Sequence, residues 1–229
     1  MANSINTNVG ALVALQNLNQ TSRDLAVTQN RVNTGQKVSS AKDNGAIWAT
    51  AQNQKANMQV LNTTRNTLQR TQSVNDVGLA AGDTIMDALR QMKELAAGPA
   101  STARDADLAA LRTEVVAAKA AAVFDGTAAL SGLTLTIGAA PTAGEIDADL
   151  ASAISALQTL GTSSKSTERS LAFNDKLQDA LEAGIGNLVD ADLAKESARL
   201  TALQTKQQLG VQALSIANQS SSILLGLFR

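Results

Sequence analysis

The residues of this sequence that could do chemistry are mainly its carboxylates, because the chain contains neither histidine nor cysteine. Without imidazole or thiolate groups, the usual zinc sites and the serine–histidine and cysteine–histidine nucleophile pairs cannot be built from this chain. Disulfide bonds are excluded for the same reason. Two groups of acidic residues remain, and carboxylates of this kind serve general acid–base catalysis or bind cations.

The acidic group near the C-terminal end consists of Asp190, Asp192 and Glu196. A calcium site would require six or more oxygen ligands in a turn-rich loop, and the sequence predicts no such loop here. These residues lie at the start of a long helical pattern, where the positive end of a helix stabilises negative charge. We therefore interpret them as helix-start residues. The central group is interpreted as capping and solvated residues, and its members are Glu145, Asp147 and Asp149.

Composition narrows the range of partners and cofactors. The 229 residues carry a formal net charge of −1, so the chain lacks the basic surface that nucleic acid requires. No apolar run approaches the ~20 residues of a membrane-spanning helix, so membrane insertion is not expected. The N-terminus has neither the basic leader nor the apolar stretch of a secretory signal peptide, which by itself suggests the cytosol. No cofactor, metal or catalytic residue is predicted, and an enzyme is the least favoured class.

The stretch from Asp190 to Arg229 is predicted to form one long helix, because it lacks proline and carries apolar residues at helical spacing. Two stripes run along it in alternate steps of four and three residues. The first stripe comprises Leu203, Gln207, Gly210, Leu214, Ala217, Ser221, Leu224 and Phe228. The second stripe comprises Leu209, Ala213, Ile216, Ser220, Ile223 and Leu227. A helix that is apolar on two faces is buried on more than one side, so we expect other copies of the chain to cover it.

The N-terminal stretch has a matching pattern and is the natural partner of this helix. No charged side chain precedes Arg23, and the apolar spacing is that of a coiled coil. The N-terminal stripe comprises Ala11, Leu15, Leu18, Ser22, Leu25, Gln29 and Val32. An ordinary two-helix coiled coil carries charges beside its seam, so their absence from both chain ends favours a packed assembly of many helices.

The first helix is predicted over residues 1–33 and is followed by a break at 34–44. Two further helices are predicted after this break. The second runs from about residue 45 to 97 and ends at Gly98 and Pro99, and the third runs from about 105 to 123. The predicted fold is mainly α, with long antiparallel helices from both chain ends in a coiled-coil-like bundle and a small α/β insertion.

The predicted insertion occupies about residues 124–170. Residues 133–137 alternate apolar and polar side chains, which indicates a short strand. A short helix is predicted from Asp147, a loop at 159–167, and a helix over 171–188. The insertion is too small for a core of its own, so we expect it to lie against the other helices through its apolar residues. These are Leu133, Leu135, Ile137, Leu150 and Ile154.

Several motifs at both ends of the chain, in the right order, resemble the signatures of bacterial flagellins. The N-terminal motifs are Ser4–Asn8, Gln29–Gly35 and Ser40–Asn44, and the C-terminal motifs are Leu188–Leu200, Gln204–Gly210 and Leu227–Arg229. Together they cover about residues 4–60 and 185–229, and the variant is most similar to the short flagellins of alphaproteobacteria.

The resemblance implies a structural subunit that self-assembles into the extracellular flagellar filament used for swimming. It implies a homopolymer, export through a dedicated channel, and an export chaperone, a filament cap and junction proteins as partners. It also implies filament-core segments at 1–44 and 190–229, and an outer-tube domain at 45–189. The expected filament-core interface residues are Leu12, Leu15, Leu18, Leu25, Leu209, Leu214, Ile216, Ile223, Leu224, Leu227 and Phe228.

Some flagellins are sensed by an animal innate receptor through a helix motif that resembles residues 89–95 of this chain. The corresponding patch would comprise Gln91, Glu94 and Leu95, with Glu114 on the third helix. The recognised type has arginine at the position of Gln91, and a solvated helix face is the alternative interpretation.

Two other classes remain open from the sequence. A hook–filament junction protein shares the design of the chain ends, although it does not usually carry the 188–200 motif in this form. A secreted effector or adhesin with coiled-coil ends is the alternative from a different class.

Overall fold

The computed structural model describes residues 8–138 and 141–227, with side chains described as far as residue 219. The described part contains five helices and one two-stranded hairpin, so the predicted mainly α fold is confirmed. The elements are α1 (Val9–Thr34), α2 (Gly45–Ala96), α3 (Thr102–Ala121), β1 (Val123–Phe124), β2 (Thr127–Ala128), α4 (Ala143–Val189) and α5 (Leu193–Leu227). Among the described residues, no helix has a stretch both long and apolar enough to cross a membrane.

The chain divides into two compact units. Unit 1 comprises residues 1–57 and 181–229, and unit 2 comprises residues 58–180. Both α2 and α4 contribute residues to each unit.

Unit 2 contains a core of fully buried aliphatic side chains. Its α2 residues Ile85, Leu89 and Met92 recur at steps of four and three, which places them on one helix face. Leu108 and Val115 of α3 belong to the same cluster. The remaining buried members are Met86, Ala88, Ala122, Leu130, Leu133, Ile137, Ile146 and Ala153. This core closes within the unit, because large side chains from three helices and the 130–137 segment meet there.

Two glycines on α2 allow α4 to approach closely. A β-carbon at Gly82 would overlap the side chain of Leu157, and one at Gly78 would lie 2.9 Å from Cδ1 of Leu160 and 3.0 Å from Cβ of Ala129. Real β-carbons do not approach other atoms this closely, so a larger residue at Gly82 or Gly78 would force the neighbouring side chains to shift.

The strand of the insertion lies elsewhere than predicted. The hairpin β1–β2 pairs Val123 with Ala128 and Phe124 with Thr127, around a turn in which Asp125 and Gly126 have φ values of 49° and 76°. An Asp-Gly pair with positive φ is typical of a tight hairpin turn. The predicted strand at 133–137 is wrong, because this segment has irregular backbone.

Asp149 explains both the irregular segment and a second wrong prediction. Its carboxylate accepts hydrogen bonds from the backbone N–H of Thr136 at 2.7 and 3.0 Å, from the Thr136 hydroxyl at 2.8 Å and from the N–H of Ile137 at 3.0 Å. Asp149 is only 1 % exposed, so it is not the solvated residue that we predicted. The carboxylate accepts the hydrogen bonds that a neighbouring strand would otherwise accept. Leu133 and Ile137 of the same segment are buried in the core.

The prediction that the insertion packs against the other helices is confirmed for most of its apolar residues. Leu133 and Ile137 are buried in the core cluster, and Leu135 and Leu150 pack against it. Ile154 is 50 % exposed, so its predicted burial is wrong.

Helix α4 is continuous where we predicted a short helix, a loop and a second helix. The threonine side chains of the predicted loop bond back to the helix: Thr159 donates to the carbonyl oxygen of Ser155 at 2.9 Å, and Thr162 to that of Gln158 at 2.9 Å. Ser164 is buried, and its hydroxyl oxygen accepts a hydrogen bond from the side-chain amide of Gln72 of α2 at 2.7 Å. The predicted loop is wrong: the stretch is helical, and these hydroxyls bond to carbonyl oxygens of the same helix and to α2.

The start of α4 is fixed by a reciprocal cap rather than by Asp147. The Thr142 N–H and hydroxyl donate to Oε2 of Glu145 at 2.8 and 3.0 Å, and the Glu145 N–H donates to the Thr142 hydroxyl at 3.3 Å. These bonds, first that from the Thr142 backbone, lower the pKa of Glu145. The predicted capping role of Glu145 is confirmed. Asp147 pairs with Lys93 of α2 at 2.7 Å.

Candidate assembly surface

Helices α1 and α5 form an antiparallel pair in unit 1. At one end, Asn8 caps α1 by accepting from the N–H of Ala11 at 3.0 Å, and its amide donates to the carbonyl oxygen of Ala217 at 2.7 Å. At the other end, Nη1 of Arg31 lies 3.3 Å from Oε1 of Glu196. The predicted pairing of the two chain ends is therefore present within one chain.

The first stripe of α5, as far as its side chains are described, faces the N-terminal stripe of α1, of which Leu15 remains exposed. Leu203 is buried, and a β-carbon at Gly210 would lie 3.3 Å from Cδ1 of Leu18. Two threonines of α1, Thr21 and Thr28, are also buried. The described part of the first stripe is thus covered within one chain, whereas we expected other copies of the chain to cover both stripes.

Glu196 differs from an ordinary helix-start carboxylate. It lies in the first turn of α5, as predicted, but it is buried, and its Oε2 has no hydrogen-bond partner. The neighbouring Asp192 caps α5 in the usual way, by accepting from the N–H groups of Ala194 and Lys195 at 3.1 Å. The helix-start interpretation is confirmed for Asp192, whereas the carboxylate of Glu196 also pairs with Arg31.

The segment after α1 is held against the α4–α5 connection by backbone hydrogen bonds. Gly35 ends α1 with φ of 70°, and its carbonyl oxygen accepts from the N–H of Ala191 at 2.9 Å. The N–H of Lys37 donates to the carbonyl oxygen of Val189 at 2.7 Å. Asp43 closes the segment by accepting from the N–H and hydroxyl groups of Ser39 and Ser40, and these bonds, first that from the Ser40 backbone, lower its pKa.

The other faces of the pair carry large apolar side chains that this chain leaves exposed. Leu12 of α1 is 51 % exposed and Ile216 of α5 is 68 % exposed. Among the side chains of unit 1 that the structure describes, the set is Val9, Leu12, Val13, Leu15, Val27, Leu193, Leu209, Val211 and Ile216. We call this set the outward apolar residues. They contain two described members of the second stripe, Leu209 and Ile216.

The structure divides the expected interface residues into two groups that the sequence did not separate. Leu12, Leu15, Leu209 and Ile216 are exposed, whereas Leu18, Leu25 and Leu214 are half-buried. The side chains of Ile223, Leu224 and Leu227, and all of Phe228, lie outside the described part.

Several outward apolar residues were missed because they lie on none of the three predicted stripes. They are Val9, Val13, Val27, Leu193 and Val211. For Val9, Val13 and Val211 the available signal was the absence of charge around them, since the N-terminal stretch has no charged side chain before Arg23 and residues 201–219 include only Lys206. Val27 and Leu193 have charged neighbours in the sequence, and no such signal marked them.

The expected receptor patch is partly exposed and lies in unit 2. Gln91 and Glu94 are exposed on α2, and Glu114 is exposed on α3. Leu95 is half-buried and packs against the core cluster. Recognition by a receptor stays a prediction.

Comparison with known proteins matches both ends of the chain to one family. Residues 5–135 match the bacterial flagellin N-terminal helical region, and residues 144–228 match the bacterial flagellin C-terminal helical region. The chain is 50 % identical to flagellin FljM of Caulobacter vibrioides over 99 % of both chains. It is 35 % identical to flagellin FljJ of the same organism over 100 % of this chain and 99 % of that protein. It is 32 % identical to a flagellin of Brucella melitensis over 99 % of both chains. Because both flagellin regions match in order and the relatives align along almost the whole length, the chain belongs to the bacterial flagellin family, as a short flagellin of the alphaproteobacterial type.

Proposed function

We propose that the protein forms the flagellar filament by burying the outward apolar residues of α1 and α5 between copies. As a flagellin, the chain is a structural subunit of the extracellular filament. The observation that carries the proposal is the exposure of large aliphatic side chains on a helix pair whose inner face is already covered. Exposed apolar patches of this kind mark interaction surfaces.

The magnitude of the effect fits a polymer. Burying one valine, leucine or isoleucine side chain contributes about 1.5–3 kcal/mol in gross terms. The nine outward apolar residues are each about half exposed in one chain. Several kcal/mol of apolar burial is therefore available per subunit, and it offsets the loss of translational freedom on association.

The low charge of the same surface fits contact between identical chains. Copies meeting through like surfaces would repel one another if those surfaces carried a strong charge of one sign. No charged side chain occurs in residues 9–22 or 207–219, which contain seven of the nine outward apolar residues. Contact between copies therefore requires no compensating ion pairs there.

The finer assignments extend this proposal. Residues 1–44 and 190–229 would form the filament core, residues 45–189 the outer tube, and an export chaperone, a filament cap and junction proteins would be further partners. No catalytic role is assigned to the chain.

Substituting Ile216 tests the proposal. In Ile216→Asp, a carboxylate would be buried without a partner in the polymer, at a cost of several kcal/mol after relaxation. At 1.4 kcal/mol per tenfold, we expect the critical concentration for polymerisation, measured by sedimentation after seeding, to rise at least ~100-fold. Circular dichroism of the monomer should not change, because the side chain is exposed in one chain.

Ile216→Leu is the matched control, since it keeps an apolar side chain of equal size at the same position. It should polymerise at the concentration of the parent chain. Normal filament yield from Ile216→Asp would contradict the burial of this surface between copies.

A further inference from the structure

The contact between α2 and α4 in unit 2 has the spacing of a coiled coil. Between residues 58 and 72 of α2, and between residues 164 and 174 of α4, the residues that are not exposed recur in alternate steps of three and four. They are Met58, Leu61, Arg65, Leu68 and Gln72 on α2, and Ser164, Thr167, Leu171 and Asn174 on α4. Coiled-coil positions of this spacing are normally aliphatic, but five of these nine residues are polar or charged.

Side-chain hydrogen bonds and one ion pair connect the two helices along this stretch. The amide of Gln72 donates to the hydroxyl oxygen of Ser164 at 2.7 Å, and the amide of Asn174 donates to the carbonyl oxygen of Leu61 at 3.0 Å. The other pairs are Asn75 with Ser163, Gln178 with Asn62, and Arg65 with Asp175. We call residues 58–76 of α2 and 163–180 of α4 the polar half of the contact.

The polar half buries no aliphatic side chain. Both of its stretches are fully described, and their buried residues are Asn75, Ser164, Thr167 and Asn174. Two buried side-chain oxygens, Oε1 of Gln72 and Oδ1 of Asn174, have no hydrogen-bond partner. A hydrogen bond within a protein replaces hydrogen bonds to water, so its net contribution is small, and a buried acceptor without a partner lowers stability. The polar half therefore contributes little to the stability of unit 2.

The contact becomes apolar beyond the polar half. Leu157 of α4 lies where a β-carbon at Gly82 would be, and Leu89 of α2 is completely buried in the core cluster. Burial of aliphatic side chains is the dominant favourable term in folding. Opening the core would therefore cost far more free energy than opening the polar half.

We propose that the polar half opens as a separate unit in the monomer while the core of unit 2 stays folded. Opening free energies differ between parts of one protein, and regions with few buried apolar contacts open most easily. The polar half also begins and ends at the limits of unit 2 in the sequence, residues 58 and 180, so it can open without breaking the core. The inference is independent of the proposed function, because it concerns contacts within unit 2 of one chain.

Amide hydrogen exchange of the parent monomer at increasing urea concentrations is the first test. Residues 58–76 and 163–180 should exchange at least ~10-fold faster than residues 81–95. Their exchange should also depend less on urea, because a local opening exposes less surface than unfolding of the whole unit. Equal urea dependence in the two regions would overturn the proposal.

Leu89→Ala is the second test, because it weakens the core without touching the polar half. It should accelerate exchange of residues 81–95 by at least ~30-fold through the cavity that it leaves. Exchange in the polar half should stay as in the parent chain, since its opening leaves the core intact. Equal acceleration in both regions would show one cooperative unit and would overturn the proposal.

Asn174→Leu is the third test, because it places an aliphatic residue of similar size at a buried polar position. It removes the unpartnered Oδ1 and should slow exchange in the polar half by at least ~10-fold. Asn66→Leu makes the same change at an exposed position of α2 and should leave the rates unchanged. Unchanged or faster exchange in Asn174→Leu would overturn the assignment of the polar half as the weak part of unit 2.

Discussion

Units 1 and 2 use aliphatic side chains differently. In unit 2, Ile85, Leu89 and Met92 are completely buried by side chains from the same unit. In unit 1, the α1–α5 pair buries Thr21, Thr28 and Leu203, whereas Leu12 and Ile216 remain exposed. A pair of helices has only one mutual face, so further apolar faces stay open until other helices cover them. Three helices and a folded-back segment enclose a core within unit 2.

The first prediction concerns amide hydrogen exchange, where the two units should differ most. In the dilute monomer, residues 9–34 and 193–219 should exchange at least ~100-fold faster than residues 81–95, because α1 and α5 have fewer buried contacts to lose on opening. In filaments the difference should disappear as the outward apolar residues are covered. Equal protection of the two units in a dilute monomer would break the comparison.

The second prediction compares the same substitution in the two units. Leu89→Ala should lower the free energy of unfolding by about 2–5 kcal/mol, because it leaves a cavity in the core of unit 2. Leu12→Ala should change it by less than ~0.5 kcal/mol in the monomer, because this side chain is exposed. Urea denaturation of monomers measures both. Filaments of Leu12→Ala should dissociate more readily than filaments of the parent chain, and filaments of equal stability would count against burial of the outward apolar residues between copies.

The third prediction concerns the close approach of α2 and α4 in unit 2. Gly82→Ala should lower the free energy of unfolding by about 1–3 kcal/mol, because the added methyl group overlaps Leu157. Gly161→Ala is the matched control, since nothing lies within 4 Å of its β-carbon position. It should raise the stability by up to ~1 kcal/mol, because alanine is the better helix former. A stabilising Gly82→Ala would show that Leu157 can move away at little cost.

The sequence predicted the long helices α1, α2 and α5 well, because their apolar residues recur every three or four positions over many turns. It also predicted the break between the first two helices, where Gly35 adopts positive φ and ends α1. The helix-start roles of Asp192 and Glu145 follow from short-range hydrogen bonds that span only two or three residues. Features of this kind depend on residues that are close in the chain, so the sequence alone is enough to predict them.

Other features depended on residues distant in the chain. The alternation at 133–137 predicted a strand, but the N–H groups of Thr136 and Ile137 donate to the carboxylate of Asp149 instead of to a second strand. The serine- and threonine-rich stretch at 159–167 predicted a loop, but Ser164 bonds Gln72 across the α2–α4 contact. A propensity pattern reports the conformational preference of a segment by itself. It cannot include residues distant in the chain, such as Asp149 and Gln72, that contact the segment only in the folded protein.

The assembly surface shows the same division. Composition and spacing alone determined that both chain ends are charge-poor, striped helices that need covering. Only the tertiary structure decided which stripe is covered within the chain, because that depends on the rotation of α1 and α5 about their own axes. Gly210 lies against Leu18 where α5 contacts α1, and Leu203 is buried. This rotation of α5 leaves Leu209 and Ile216 exposed on its other side.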